Sequence, residues 1–153
     1  MPMTSFTADI SRMLTAAWRP EGYCVPNPDV YPWQWCWDSC FHVVVWSVLD
    51  HERALHELET VFTAQTDDGF VPHMTYHGDA DAARELWRQP AHSSITNPPM
   101  YGHALRVLHD AGVTLPDSLV AAAGRGLTWL VERRTRSEGL VVACHPWETG
   151  CDD

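Results

Sequence analysis

The sequence predicts an all-α fold in which buried and amphipathic helices alternate: an α/α toroid, or part of one. Three observations predict it. Segments with apolar residues at helical spacing recur along the chain, and the one from Ser39 to Leu49 is apolar on every side, as an inner helix would be. The connections between segments are long and rich in Pro, Gly, Asn and aromatic residues. No alternating strand pattern of useful length occurs. Helix pairs of this kind pack in layers around one core.

The first helix is expected from Thr4 to Trp18, with Phe6, Ile10, Met13, Leu14 and Ala17 at helical spacing and Thr4 or Thr7 as the cap. Residues 19–36 read as a loop. Asp38 then stands as the cap or first-turn residue of the apolar helix Ser39 to Leu49. Asp50 begins an amphipathic helix, His51 to Gln65, which carries Leu55, Leu58, Val61 and Phe62 on one face. Thr66 to Gly69 is a turn, and Phe70 to His73 is extended because Pro72 blocks a helix. Ala80 to Trp87 is a short helix. Met100 to Ala111 is another, stopped by Gly112. Asp117 is expected to cap a helix from Ser118 to about Arg134, and Gly139 to Ala143 is a short apolar run.

A length of 153 residues, 45% hydrophobic and 20% charged, is the range of one globular domain, residues 1–153. The formal charge of −10 excludes nucleic acid as a partner, because nothing would offset phosphate repulsion. All ten basic residues are arginines, and Arg133, Arg134 and Arg136 read as a solvated face at a helix C-terminus. No apolar run is long enough for a membrane span, and no secretory leader is visible, which implies a cytoplasmic protein with reduced thiols. Cys36, Cys40 and His42 lie close in sequence, but no CxxC or HxxxH spacing supports a metal site, so none is expected.

The chemistry concentrates in two stretches. Tyr31-Pro-Trp-Gln-Trp-Cys-Trp-Asp38 holds three tryptophans and a carboxylate, and His145-Pro-Trp-Glu-Thr-Gly-Cys-Asp-Asp153 closes the chain. Indole rings stack on the C–H faces of a pyranose, while their N–H groups and a carboxylate bind its hydroxyls. Extended backbone would put Trp33, Trp35 and Trp37 on one face. Trp35 and Trp37 are assigned to a pocket wall and Trp33 to packing. Tyr31 offers its hydroxyl to a substrate carboxylate or to backbone. Gln65 and His73 bracket the Asp67-Asp68-Gly69 turn. Gln65 can bind a sugar hydroxyl or cap local backbone, and His73 reads as a structural histidine.

Four blocks occur in order: Tyr31 to His42, Gln65 to His73, Ser93 to His103, and His145 to Asp152. Together they resemble the mannosylglycerate and glucosylglycerate hydrolases, relatives of processing α-glucosidase I and trehalase-like (α/α)6-barrel glycoside hydrolases. The resemblance implies that the chain is the N-terminal portion of an incomplete (α/α)6 toroid. It implies an inverting hydrolase of a small α-glycoside, in which one carboxyl protonates the leaving oxygen and a second activates water. No metal or organic cofactor is needed for two proton transfers.

By the same resemblance Asp152 is the general acid, Asp38 a pocket-floor ligand and Trp147 a wall residue. Glu148 is a hydroxyl ligand that, with burial, would raise the pKa of Asp152. Asn97 stands where the pattern has a substrate-binding Gln, Thr149 where it has Ser, and Asp153 where it has Asn. The general base belongs to the barrel's second half, so these residues alone are expected to be inactive, as a fragment, the product of a truncated gene or one part of a two-chain assembly. The rival reading is a non-catalytic carbohydrate-binding or structural helical module, which would have no use for Asp152.

Overall fold

The computed structural model describes residues 5–151. The expected cap Thr4, the proposed acid Asp152 and its neighbour Asp153 lie outside them. Among the described residues the elements are α1 (Ser5–Ala17), β1 (Gln34–Trp35), α2 (Cys36–Leu49), α3 (His51–Val61), β2 (Met74–Thr75), α4 (Ala80–Trp87), α5 (Tyr101–Asp110) and α6 (Asp117–Arg134). One 3-10 turn, Pro146–Thr149, follows. The chain is predominantly helical, as the periodicity predicts.

The ends of the helices differ from expectation for local reasons. Helix α2 starts three residues early, because Trp35 is extended and no side chain caps it. Asp38 therefore sits in the first turn, where its negative charge favours the helix dipole. Helix α3 starts as expected: one Asp50 carboxylate oxygen accepts the N–H groups of Glu52 and Arg53, each at 3.1 Å. It ends at Val61 rather than Gln65. The N–H groups of Phe62, Thr63 and Gln65 bond three residues back, and the Thr63 hydroxyl bonds the Thr60 carbonyl, so the chain tightens into turns. Gly112 closes α5 with φ +82°. Its N–H reaches the His109 carbonyl while the Val113 N–H reaches Leu108, a Schellman arrangement. Helix α6 is preceded by Pro116, and Asp117 is its first residue rather than its cap.

Helix α2 packs against α3 and α5, which also touch each other, and α6 lies against α5. Val43, Trp46, Ala54, Leu58, Ala104 and Leu108 form the centre of this core and are essentially inaccessible. Each large apolar side chain removed from water in this way contributes about 1.5–3 kcal/mol. Gly126 lets α6 approach: a Cβ there would lie 2.7 Å from the Tyr101 hydroxyl and 2.9 Å from a Val71 methyl. Helix α2 is not buried all round, since Phe41 and Val48 are 47% and 82% exposed.

The two short strands do most to place the site. They pair antiparallel, Gln34 with Thr75 and Trp35 with Met74, and an isolated bridge adds His92 beside Thr75. Gln34 fastens this ribbon to the helices. Its buried amide nitrogen donates to Ser39 Oγ and Thr60 Oγ1, and its oxygen meets His77 Nε2 at 2.6 Å. Among the described residues no helix is long and apolar enough to cross a membrane.

Candidate active site

Segments far apart in sequence meet around one cleft of about 600 Å³. Tyr31, Trp33, Trp35 and Trp37 come from the first aromatic stretch. His73, Met74 and Tyr76 come from the β2 segment, Leu86 and Trp87 from the end of α4, and Asn97 from the loop before α5. His145, Trp147 and Gly150 come from the closing stretch. The rings form a connected wall. Tyr31 meets Trp35 edge-on at 5.4 Å, Trp33 lies 5.0 Å from Tyr76, and Trp147 stacks on His73 at 6.0 Å. Several polar edges are satisfied. The Trp87 N–H donates to the Tyr76 hydroxyl at 2.6 Å and the Trp33 N–H to Asp79 at 3.2 Å.

The closing stretch is fixed by charge rather than by apolar packing. Glu148 is buried, and its two oxygens face Arg134 as a bidentate pair at 2.8 and 3.0 Å. They also accept the N–H groups of Cys144, His145 and Thr96. Burial alone would raise its pKa, but these N–H donors and the guanidinium hold it below the usual carboxylate range. Gly150 completes the turn with φ +75°. A Cβ there would sit 2.2 Å from the Trp37 ring, so only glycine lets the closing stretch meet α2. Asn97 lies at the seam: its Oδ1 accepts the Trp37 N–H and its Nδ2 donates to the Trp147 carbonyl, both at 3.4 Å.

Of the side chains expected at the site, the structure brings Tyr31, Trp35, Trp37, Asn97 and Trp147 together on the cleft wall. Asp38 is half-buried and follows the wall residue Trp37 in the first turn of α2, without lining the cleft itself. Two expectations are corrected. Gln65 is not in the cleft: its nitrogen donates to the Gly69 and Ala122 carbonyls, and its oxygen accepts from Arg125, which is the backbone-capping alternative. Glu148 is not on the wall either, because five donors already surround its carboxylate. Arg134, expected in a solvated face, is its partner and is only 13% exposed.

Sequence reasoning missed others. Trp33, assigned to packing, lines the cleft, as does His73. Burial and the nearby His145 push the His73 pKa down to about 4, against a weaker opposing effect of Glu148, so the ring is neutral near pH 7. Trp87 and Tyr76 had no signal in their neighbourhoods. The β1–β2 register that places Tyr76 rests on two residues per strand, too few to show as alternation, and Trp87 comes from the end of α4. The three tryptophans do not share an extended face, since Trp37 is already helical, yet all reach the cleft. Among the described residues the cleft gathers no three metal-ligating groups.

Comparison with known proteins agrees with this geometry. The profile of the mannosylglycerate hydrolase MGH1-like glycoside hydrolase domain matches residues 31–153. The mannosylglycerate hydrolase of Thermus thermophilus is 36% identical over 150 residues, covering 86% of this chain and 35% of that protein. The glucosylglycerate hydrolase of Mycolicibacterium hassiacum is 29% identical, covering 95% and 36%. A crystal structure of the Thermus thermophilus GH63 mannosylglycerate hydrolase, in complex with Tris and D-glycerate, superimposes with a TM-score of 0.83 at 33% identity, over 95% of this chain and 38% of that one. The chain thus spans about a third of the length of the relatives it matches, and its helices form part of an (α/α)6 toroid. The chain belongs to the mannosylglycerate hydrolase MGH1-like glycoside hydrolases.

Proposed function

We propose that this chain supplies the aromatic wall and the general acid of an inverting α-glycosidase acting on glucosylglycerate, mannosylglycerate or a similar small α-glycoside. The observation that carries the reading is the convergence of Tyr31, Trp35, Trp37 and Trp147 on one cleft, with the Asn97 amide at the seam between their two stretches. Indole faces bind the apolar side of a hexose, while the tyrosine hydroxyl and the asparagine amide have the polarity to bind its hydroxyls or a glycerate carboxylate. Neutral His73 adds a hydrogen-bonding edge without a charge that would have to be desolvated. Asp38 does not itself line the cleft, and its assignment as the carboxylate that accepts from the sugar rests on its place directly after the wall residue Trp37. Asp152, two residues beyond the wall residue Gly150, is the acid that protonates the leaving oxygen.

Inversion needs a second carboxylate on the opposite face of the sugar. We assign it to a region that the relatives have and with which these 153 residues do not align, so the chain alone binds without turning over. Glu148 and Arg134 act by holding the acid's segment in place.

Titration calorimetry of this chain with glucosylglycerate and mannosylglycerate tests the reading. The expected result is binding of at least one, weakened about tenfold or more by Asp38→Asn, since a hydrogen bond to a charged group contributes about 1.5–3 kcal/mol. Heat-silent titrations with both glycosides, or equal affinity in the variant, would overturn it. In a preparation that includes the second carboxylate, Asp152→Asn should abolish turnover and spare binding. A non-catalytic module would show no turnover to lose.

A further inference from the structure

A second cluster lies away from the cleft, where the loop after α1 meets α2 and α3. Cys24 Sγ, the His42 ring and the Glu57 carboxylate come from these three elements, and one ligand atom of each lies within 4.8 Å of the others. His42 Nδ1 is 2.8 Å from Glu57 Oε1, and the Cys24 backbone N–H donates to the same oxygen at 3.1 Å. Glu57 is fully buried, yet its Oε2 has no hydrogen-bond partner. A buried carboxylate oxygen left without a partner costs stability, and native structures seldom tolerate one. The Trp46 indole N–H also makes no conventional hydrogen bond and approaches the Cys24 sulfur, although burial and the Glu57 charge together push that thiol's pKa up. The thiol itself donates to the Leu14 carbonyl at 3.3 Å, a contact that metal binding would break.

We propose that Cys24, His42 and Glu57 form a zinc-binding site with one open position. Sulfur, imidazole nitrogen and carboxylate oxygen together match the borderline-soft Zn²⁺ and not Mg²⁺ or Ca²⁺, which take oxygen ligands. Tetrahedral zinc with bonds of about 2.0–2.3 Å places its ligand atoms about 3.3–3.8 Å apart, inside the 4.8 Å that bounds the separations of this cluster. Occupancy would give Glu57 the partner that it lacks. The Cys24 N–H on Oε1 would then serve as an outer contact that orients the carboxylate. The His42 side chain is 17% exposed and offers a path in. On binding, the Cys24 thiol releases one proton to solvent, the His42 proton moves from Nδ1 to Nε2, and a water takes the fourth position. The ion would tie the loop, α2 and α3 together beneath the helical core. Sequence spacing hides such a site, because its ligands are 18 and 15 residues apart on separate elements. The proposal does not rest on the glycosidase reading.

Cobalt(II) titration of the metal-free chain tests it, in a background where the exposed Cys144 and Cys151 are changed to serine. The expected result is a thiolate-to-cobalt charge-transfer band with the visible bands of a tetrahedral ion, bleached by stoichiometric zinc. Cys24→Ser should remove the charge-transfer band. If that variant loses its helical circular dichroism, His42→Gln, altering a partly exposed side chain, gives the answer: it should weaken cobalt at least about tenfold. Zinc should also raise the melting temperature of the parent and leave that of His42→Gln unchanged. Absence of a charge-transfer band in the parent, or its persistence at unchanged affinity in Cys24→Ser or His42→Gln, would overturn the proposal in favour of a plain buried histidine–glutamate pair.

Discussion

The helical core and the cleft are held together by different forces. Around Leu58, Val43 and Leu108 the chain is regular, and its cohesion comes from apolar side chains that exclude water. Around Trp37, His73 and Trp147 it is mostly irregular. There Glu148, Asn97 and Gln34 hold backbone and rings in place through hydrogen bonds that reach across as many as 60 residues. Apolar packing tolerates substitutions of similar volume. A buried polar anchor does not, because removing one partner strands the others. The cleft should therefore be lost locally by changes that spare the helices, and the core should be lost only as a whole.

The largest effect is expected from Glu148→Ala. It leaves Arg134 buried without its partner and three N–H groups without an acceptor, a loss of about 3–5 kcal/mol. Near-ultraviolet circular dichroism of the tryptophans and protease resistance of residues 144–151 should fall, while far-ultraviolet helicity stays. Parallel loss of both signals would mean that the two regions are one cooperative unit. Leu58→Ala sharpens the contrast from the other side. It opens a cavity in the fully buried core and should cost about 3 kcal/mol, with the tertiary and helical signals melting together.

The same contrast explains what could be read from the sequence. Helices α4, α5 and α6 were legible to within a residue or so, because periodicity, Gly112 and the prolines act locally. The membership of Tyr31, Trp35, Trp37, Asn97 and Trp147 in one cleft was legible only through the blocks that resemble a family. Arg134 with Glu148 was not legible at all. Nothing in an arginine near a helix end says that a glutamate fourteen residues later will desolvate it. Gln65 shows the converse: a side chain rich in hydrogen-bonding capacity looks like a ligand until the carbonyls of Gly69 and Ala122 are seen to take it.

Acid and alkali should separate the regions as well. In the cleft, burial lowers the His73 pKa from 6.5 to about 4. The unfolded chain therefore binds a proton in that window while the folded one does not, and stability falls as pH drops from 6.5 towards 4. The loss is at most about 3 kcal/mol, at 1.36 kcal/mol per unit. Glu148, held below the usual carboxylate range, adds a further loss at lower pH still. In the core the sign is reversed. In the metal-free chain burial pushes the Cys24 thiol up to about 12 and raises the Tyr101 phenol, so the unfolded chain releases protons first and stability falls above about pH 9. Urea melts at pH 7, 5 and 9.5 check both limbs. The tryptophan signal should weaken first on the acid side, and His73→Gln should flatten that limb without touching the alkaline one.

The smallest effect tests whether the core, too, depends on a polar anchor. Among the described residues Asp50 is the one helix-capping side chain that joins two core helices, since it follows α2 directly and accepts two N–H groups of α3. Its cap should contribute about 1 kcal/mol, so Asp50→Ala should lower the denaturation midpoint modestly, and Asp50→Asn should restore most of it. Because α2 and α3 also share Val43, Trp46, Ala54 and Leu58, the loss should appear in the tertiary and helical signals alike. If Asp50→Ala instead released the cleft while the helices stayed folded, the α2–α3 corner would belong to the polar framework that carries the site. The boundary between the two regions would then lie inside the helical core rather than at its edge.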